Sequence, residues 1–237
     1  MRTQFYPASQ RGHVNFGWLD SHHSFSFGNW HDPEKVHFGA LRVLNDDIVK
    51  GGKGFDTHPH DNMEIVSIPL KGALAHKDST GTEGIIYSGD VQIMSAGSGI
   101  RHSEYNASHY DPVNFLQIWV FPKQRNIKPR HDQKTFDPAA REGKWQVVVS
   151  PDEKEGGVWI NQDARFAITR LKAGKEIPFT PAFPGNGVYI FVLEGEVTIG
   201  DIKLERRDGL GISATDSINI QAGADSEILA IEVPMFA

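Results

Sequence analysis

Two short pairs of polar residues in the first half of the chain have the types and spacing of metal ligands: His58-Pro59-His60 and His102-Ser103-Glu104. Residues two apart on extended backbone project to the same side, so each pair can aim two donors at one point. On neighbouring strands of a barrel the pairs would give three imidazoles and one carboxylate. That set suits Fe(II), Mn(II), Co(II), Ni(II), Cu(II) or Zn(II). Glycines able to bend the chain flank both pairs, at Gly51, Gly52 and Gly54 and at Gly97 and Gly99. The chain has no cysteine, which excludes disulfides, thiolate metal sites, iron–sulfur clusters and a cysteine nucleophile. Any metal must be held by His, Asp or Glu.

The elements that must position these pairs read as strands. Runs rich in β-branched and aromatic residues lie at 40–44, 64–70, 91–95, 115–121, 145–149, 188–193 and 227–233, broken by Gly, Asn, Asp and Pro. One helical turn is expected over Asp137 to Glu142, where Asp-Pro can open it. The class is all-β. Glu64 to Gly72 resembles Gly187 to Gly195, and Gln117 to Pro122 resembles Leu229 to Pro234, which predicts a duplicated β-domain. The expected division is an N-terminal domain over 1–122, a linker over 123–144 and a C-terminal domain over 145–237.

The second copy contains no histidine, because ten of the 11 precede residue 110 and the last, His131, falls in the expected linker. Counting back from the paired glycines sets Pro181, Phe183 and Gly187 opposite His58, His60 and Glu64. The second copy is also shorter after its Gly209, so it is expected to lack the loop bearing His102 and Glu104, and to serve as structure.

The chain has 237 residues, enough for one large domain or two small ones, and a net charge of −6. Neither half is basic, so no nucleic-acid partner is expected. No apolar run approaches the length of a membrane helix. Cytoplasmic residence and a monomer are the expectations.

The order Gly-x5-His-x-His-x3-Glu-x7-Gly from Gly52 to Gly72, then Gly-x5-Ser-Ala-Gly-x4-His-x-Glu from Gly89 to Glu104, resembles the two cupin motifs of the pirin family. Residues 11–20, 24–27 and 41–46 also look like bacterial pirin, and the resemblance spans essentially the whole chain. It implies two cupin barrels, with one divalent metal, iron(II) first among the candidates, held in the first by His58, His60, His102 and Glu104. Many cupins ligate through the position of Glu64; the pirin pattern uses Glu104 instead, leaving Glu64 to orient a histidine or close the barrel.

Bacterial pirin-like proteins resemble quercetinases, which open the heterocyclic ring of a flavonol with O2 and release carbon monoxide. A flavonol-like substrate and O2 would then be the partners, with Glu104 or Glu64 as the base that takes the 3-hydroxyl proton. Eukaryotic pirins suggest an alternative, a non-enzymatic metal-binding regulator acting through protein partners, and an oxygen-independent isomerase or lyase would use the same ligands. Arg101 is placed either on an anionic substrate or in a salt bridge. Met63, Met94, Phe55, Phe115 and Trp119 could line an apolar pocket around the metal, with plain core as the stronger expectation, and His13, His22, His23, His31, His37, His76 and His109 are expected at the surface or as satisfied core polar groups.

Overall fold

Along Val113–Val120, residues Phe115, Gln117 and Trp119 share one face and Leu116, Ile118 and Val120 the other, and both faces are covered. This two-sided burial organises the whole molecule, a computed structural model that describes residues 1–236. Every expected run lies in a strand to within one residue at either end: Leu41–Val49, Glu64–Lys71, Asp90–Ser95, Val113–Val120, Gln146–Ser150, Asn186–Glu194 and Ser226–Pro234. The expected turn is a 3-10 turn, Pro138–Arg141, capped by the Asp137 carboxylate, which accepts from the Ala139 N–H at 2.9 Å.

Each half folds as a seven-stranded sheet packed on a four-stranded one, all-β in two barrels. In the first barrel the large sheet runs Arg130–Thr135, Asp90–Ser95, Glu64–Lys71, Val113–Val120, Leu41–Val49, Leu19–His23 and Gly12–Asn15. Its small sheet runs Gly54–His60, Ile100–Asn106, Ala73–Asp78 and Glu83–Tyr87. The two large sheets share one apolar core. Leu116, Ile118, Val66 and Ile93 from the first meet Phe166, Phe191, Leu229 and Ile231 from the second. Among the described residues, no helix is long and apolar enough to cross a membrane.

Two strands lie outside the expected division. Arg130–Thr135, in what was expected to be a linker without strands, pairs with Asp90–Ser95. Its residues are all polar, so no apolar run marks it; Gln133 and Thr135 instead donate to the Asp90 carboxylate at 2.9 and 2.5 Å. Arg2–Tyr6 leaves the first barrel to pair with Gly209–Ser213 of the second. The two additions are equivalent, since Asp90–Ser95 and Gly209–Ser213 occupy the same place beside the central strands of their sheets.

Candidate metal centre

Strand register builds the site. His102 faces His58 and Ile100 faces His60 on one neighbour; on the other, Glu104 faces His76 and His102 faces Asp78. Glu104 itself lies opposite Phe55, so Gly54–His60 carries one extra residue between the two pairings. This bulge bends the strand just before His58. There the His58 Nδ1–H donates to the Asp56 carbonyl at 2.7 Å, a bond that only one tautomer can make. In the neutral ring this bond places the proton on Nδ1 and the lone pair on Nε2.

The three imidazoles of His58, His60 and His102 have donor atoms within 4.8 Å of one another. Nε2 of His60 and Nε2 of His102 are 3.0 Å apart. Burial, then the neighbouring imidazoles, pushes His60 down to about 4 and His102 down to about 2. Both rings are therefore neutral at pH 7, and Nδ1 of His102 is buried without a partner. Neutral, converging imidazoles with unused polar atoms fit a nitrogen-preferring transition cation.

Glu104 is buried, and its carboxylate accepts from Ser67 Oγ at 3.1 Å and Gln117 Nε2 at 2.7 Å. Burial raises its pKa to about 7 against the opposing pull of those bonds. Glu104 does not join the three-imidazole set directly; it falls within 4.8 Å of His102 together with His76. Three of the four expected ligands thus converge and the fourth adjoins them through His102.

His76, expected at the surface or as a satisfied core group, is buried beside the cluster with Nε2 3.0 Å from the Asp78 carboxylate. Its Nδ1 has no partner. The signal was present in the alternation Leu74, His76, Asp78, which puts two polar residues in line with a buried leucine. His131 stacks on it at 5.0 Å, carried there by the polar strand Arg130–Thr135.

A cavity of about 330 Å³ opens onto His58, Glu104 and Gln117. Phe27, Phe55 and Trp119 wall it, with Trp119 edge-on to Phe27 at 5.3 Å and to His60 at 4.9 Å. Phe55 and Trp119 are thus cavity residues rather than plain core, whereas Phe115 and Met94 pack in separate apolar clusters, with Met63 against the latter. Arg101 alternates with Ile100 and His102, is exposed, and forms no salt bridge among the described residues. A second polar group that the sequence reading missed also lines the cavity. Ser21 Oγ lies 2.8 Å from His23 Nε2 and donates to Asp47, whose pKa burial raises to about 7.

Glu64 is elsewhere. Its carboxylate accepts from Ser95 Oγ at 2.7 Å and from the Asn161 backbone N–H, across the junction of the two halves, at 3.1 Å. It shares a strand face with Val66 and Ile68 of the common core. The parity linking it to His58 and His60 does not survive Asn62, which takes the left-handed conformation at φ 46° between the two strands.

Superimposing the repeat on Gly72 and Gly195 shows why donors gather in one barrel only. By register, Ser67, His76, Gln92, His102, Glu104 and Gln117 correspond to Ile190, Ile199, Leu210, Ile218, Ile220 and Ala230. All six replacements belong to a single apolar cluster filling the second barrel. In the first barrel the apolar interior is split into two clusters with the polar residues between them.

The second copy therefore keeps the ligand strand, as Ile218–Ala222, and does not lack it as expected. The shortening falls at the start of that strand, where Ile218 already stands opposite His102, and in the turn after it. Register also sets Phe179 and Pro181, not Pro181 and Phe183, opposite His58 and His60. Counting from the glycines misplaced them by two because the intervening turns differ in length.

A family model described as Pirin matches residues 5–120, and one described as Quercetinase C-terminal cupin domain matches residues 147–233. The chain is 45% identical over 230 residues to an Escherichia coli protein named quercetin 2,3-dioxygenase, covering 96% of each. It is 37% identical over 227 residues to a pirin-like protein of Caulobacter vibrioides, covering 95% of this chain and 97% of that one. Among solved structures, the bacterial pirin YhhW of Escherichia coli in complex with nickel(II) superimposes with a TM-score of 0.93 at 40% identity, over 99% of this chain and 100% of the other.

Proposed function

The chain belongs to the pirin family, and from that premise we propose that it is a metal-dependent dioxygenase of the quercetinase type, opening the heterocyclic ring of a flavonol with O2 and releasing carbon monoxide. The observation that carries this reading is the apolar cavity whose floor is formed by His58, Glu104 and Gln117 beside three convergent imidazoles.

His58, His60, His102 and Glu104 would hold one divalent transition cation, with iron(II) as the first expectation and nickel(II) the metal of the similar solved structure. Once bound, such an ion supplies Lewis acidity toward a substrate oxygen and open positions next to it.

The side chains account for binding and proton handling. Phe27, Phe55 and Trp119 offer flat apolar surfaces to a planar polyphenol and exclude water from the floor of the cavity. Glu104 is the base. Its pKa of about 7 gives it real affinity for the 3-hydroxyl proton near neutral pH, while the bonds from Ser67 and Gln117 hold its orientation. Contact with a cation lowers that affinity, so burial and the cation act on the carboxylate in opposite senses. Glu64 sits at the junction of the two halves and has no part in this step.

Protein loaded with metal and given quercetin under air should consume O2 and release carbon monoxide, with neither event in the absence of O2. If no flavonol yields carbon monoxide, the quercetinase reading fails and the regulator or the oxygen-independent enzyme takes its place.

A further inference from the structure

Away from the barrel centre, a different set of donors converges on the hairpin of Gly12–Asn15 and Leu19–His23. His13 and His22 are direct cross-strand partners, and Asp20, two residues before His22, projects to the same face. The two imidazoles stack at 4.4 Å with 14° between their planes. Nε2 of His13 lies 2.8 Å from Asp20 Oδ1, and Nδ1 of His22 lies 3.7 Å from the same oxygen. All three donor atoms lie within 4.8 Å of one another on side chains about half open to solvent.

The surroundings suit a cation. Arg11, the nearest positive charge, is engaged by the His22 carbonyl at 2.7 Å and by Asp46 at 3.8 Å. We propose that His13, Asp20 and His22 form an accessory site for a divalent transition cation, separate from the barrel centre, that clips the two strands of this hairpin together. Two imidazoles and one carboxylate, with water completing the shell, select zinc, nickel or copper over calcium or magnesium.

The clip has a mechanical consequence. Gly12–Asn15 is an edge strand with a single neighbour. On the opposite face of the same hairpin, Val14, Leu19 and Ser21 line the cavity. A cation bridging His13 to Asp20 and His22 therefore ties down one wall of that cavity from outside.

The test is equilibrium dialysis of the full chain against nickel(II) alone. Wild-type protein should bind one equivalent more than the His13→Gln/His22→Gln double variant, whatever the barrel centre holds in both. Asp20→Asn, which preserves shape, should weaken that extra equivalent by about tenfold. Nickel should also slow amide hydrogen exchange across Leu19–His23 in the wild type and not in the double variant. Equal stoichiometry in the two proteins, or equal slowing of exchange, overturns the site. Flavonol turnover does not enter these readouts, so the outcome is independent of the proposed reaction.

Discussion

A carboxylate buried against Ser67, Gln117 and His102 holds its proton up to about pH 7, and this makes Glu104 the residue with most to reveal. Glu104→Gln keeps an oxygen for a cation but cannot accept a proton. Turnover of quercetin should fall far more than metal content, read by elemental analysis beside the rate; full activity in the variant would remove Glu104 as the base. The same residue has a signature in metal-free protein. Between about pH 4.5 and 7 the folded state retains this proton while the unfolded chain has released it, so the contribution of Glu104 to stability declines as pH rises through that window. Glu104→Gln should therefore gain on wild type by about 2 kcal/mol from pH 5 to 7, measured by denaturant melts in chelator. Parallel pH profiles would mean that Glu104 ionises in its ordinary range.

The strand is the unit that turns one repeat into a site and the other into a core. Gln117 and Ala230 occupy the same register position, and only the former meets a carboxylate. Gln117→Ala should leave Glu104 Oε2 without its amide donor and weaken metal binding by about 10- to 100-fold while the strand still pairs; unchanged affinity would show that Ser67 alone suffices. Alternation within a strand was legible from the residues, and so were the seven apolar strands and the pairs His58/His60 and His102/Glu104. Parity did not carry across the turn at Asn62 for Glu64, nor did a count from the glycines carry across the turns to the counterparts of His58 and His60. Arg130–Thr135 was illegible for another reason. Its place is set by pairing to a neighbour and by bonds to Asp90, which leave no apolar period to read.

At the scale of the molecule, the two barrels share the apolar core between their large sheets, and unfolding should be one cooperative event. Calorimetry should give a single transition in wild type, and also in a variant lacking residues 1–6, which loses the pairing to Gly209–Ser213 and the buried ring of Tyr6 against Phe25 and Tyr189. The truncated form should be less stable by about 3 to 5 kcal/mol, the range for losing a buried aromatic side chain, with its metal content unchanged; two separate transitions would show that the halves fold independently. The placement of Arg2–Tyr6 also imposes an order on biosynthesis. Ala8, just past that strand, bonds to Asp208, 200 residues away. On the ribosome, therefore, residues 2–6 emerge long before the edge that receives them. The first barrel can close while they wait outside the exit tunnel, but the second gains that strand only when Gly209–Ser213 has been made, so its final closure joins residues translated far apart in time.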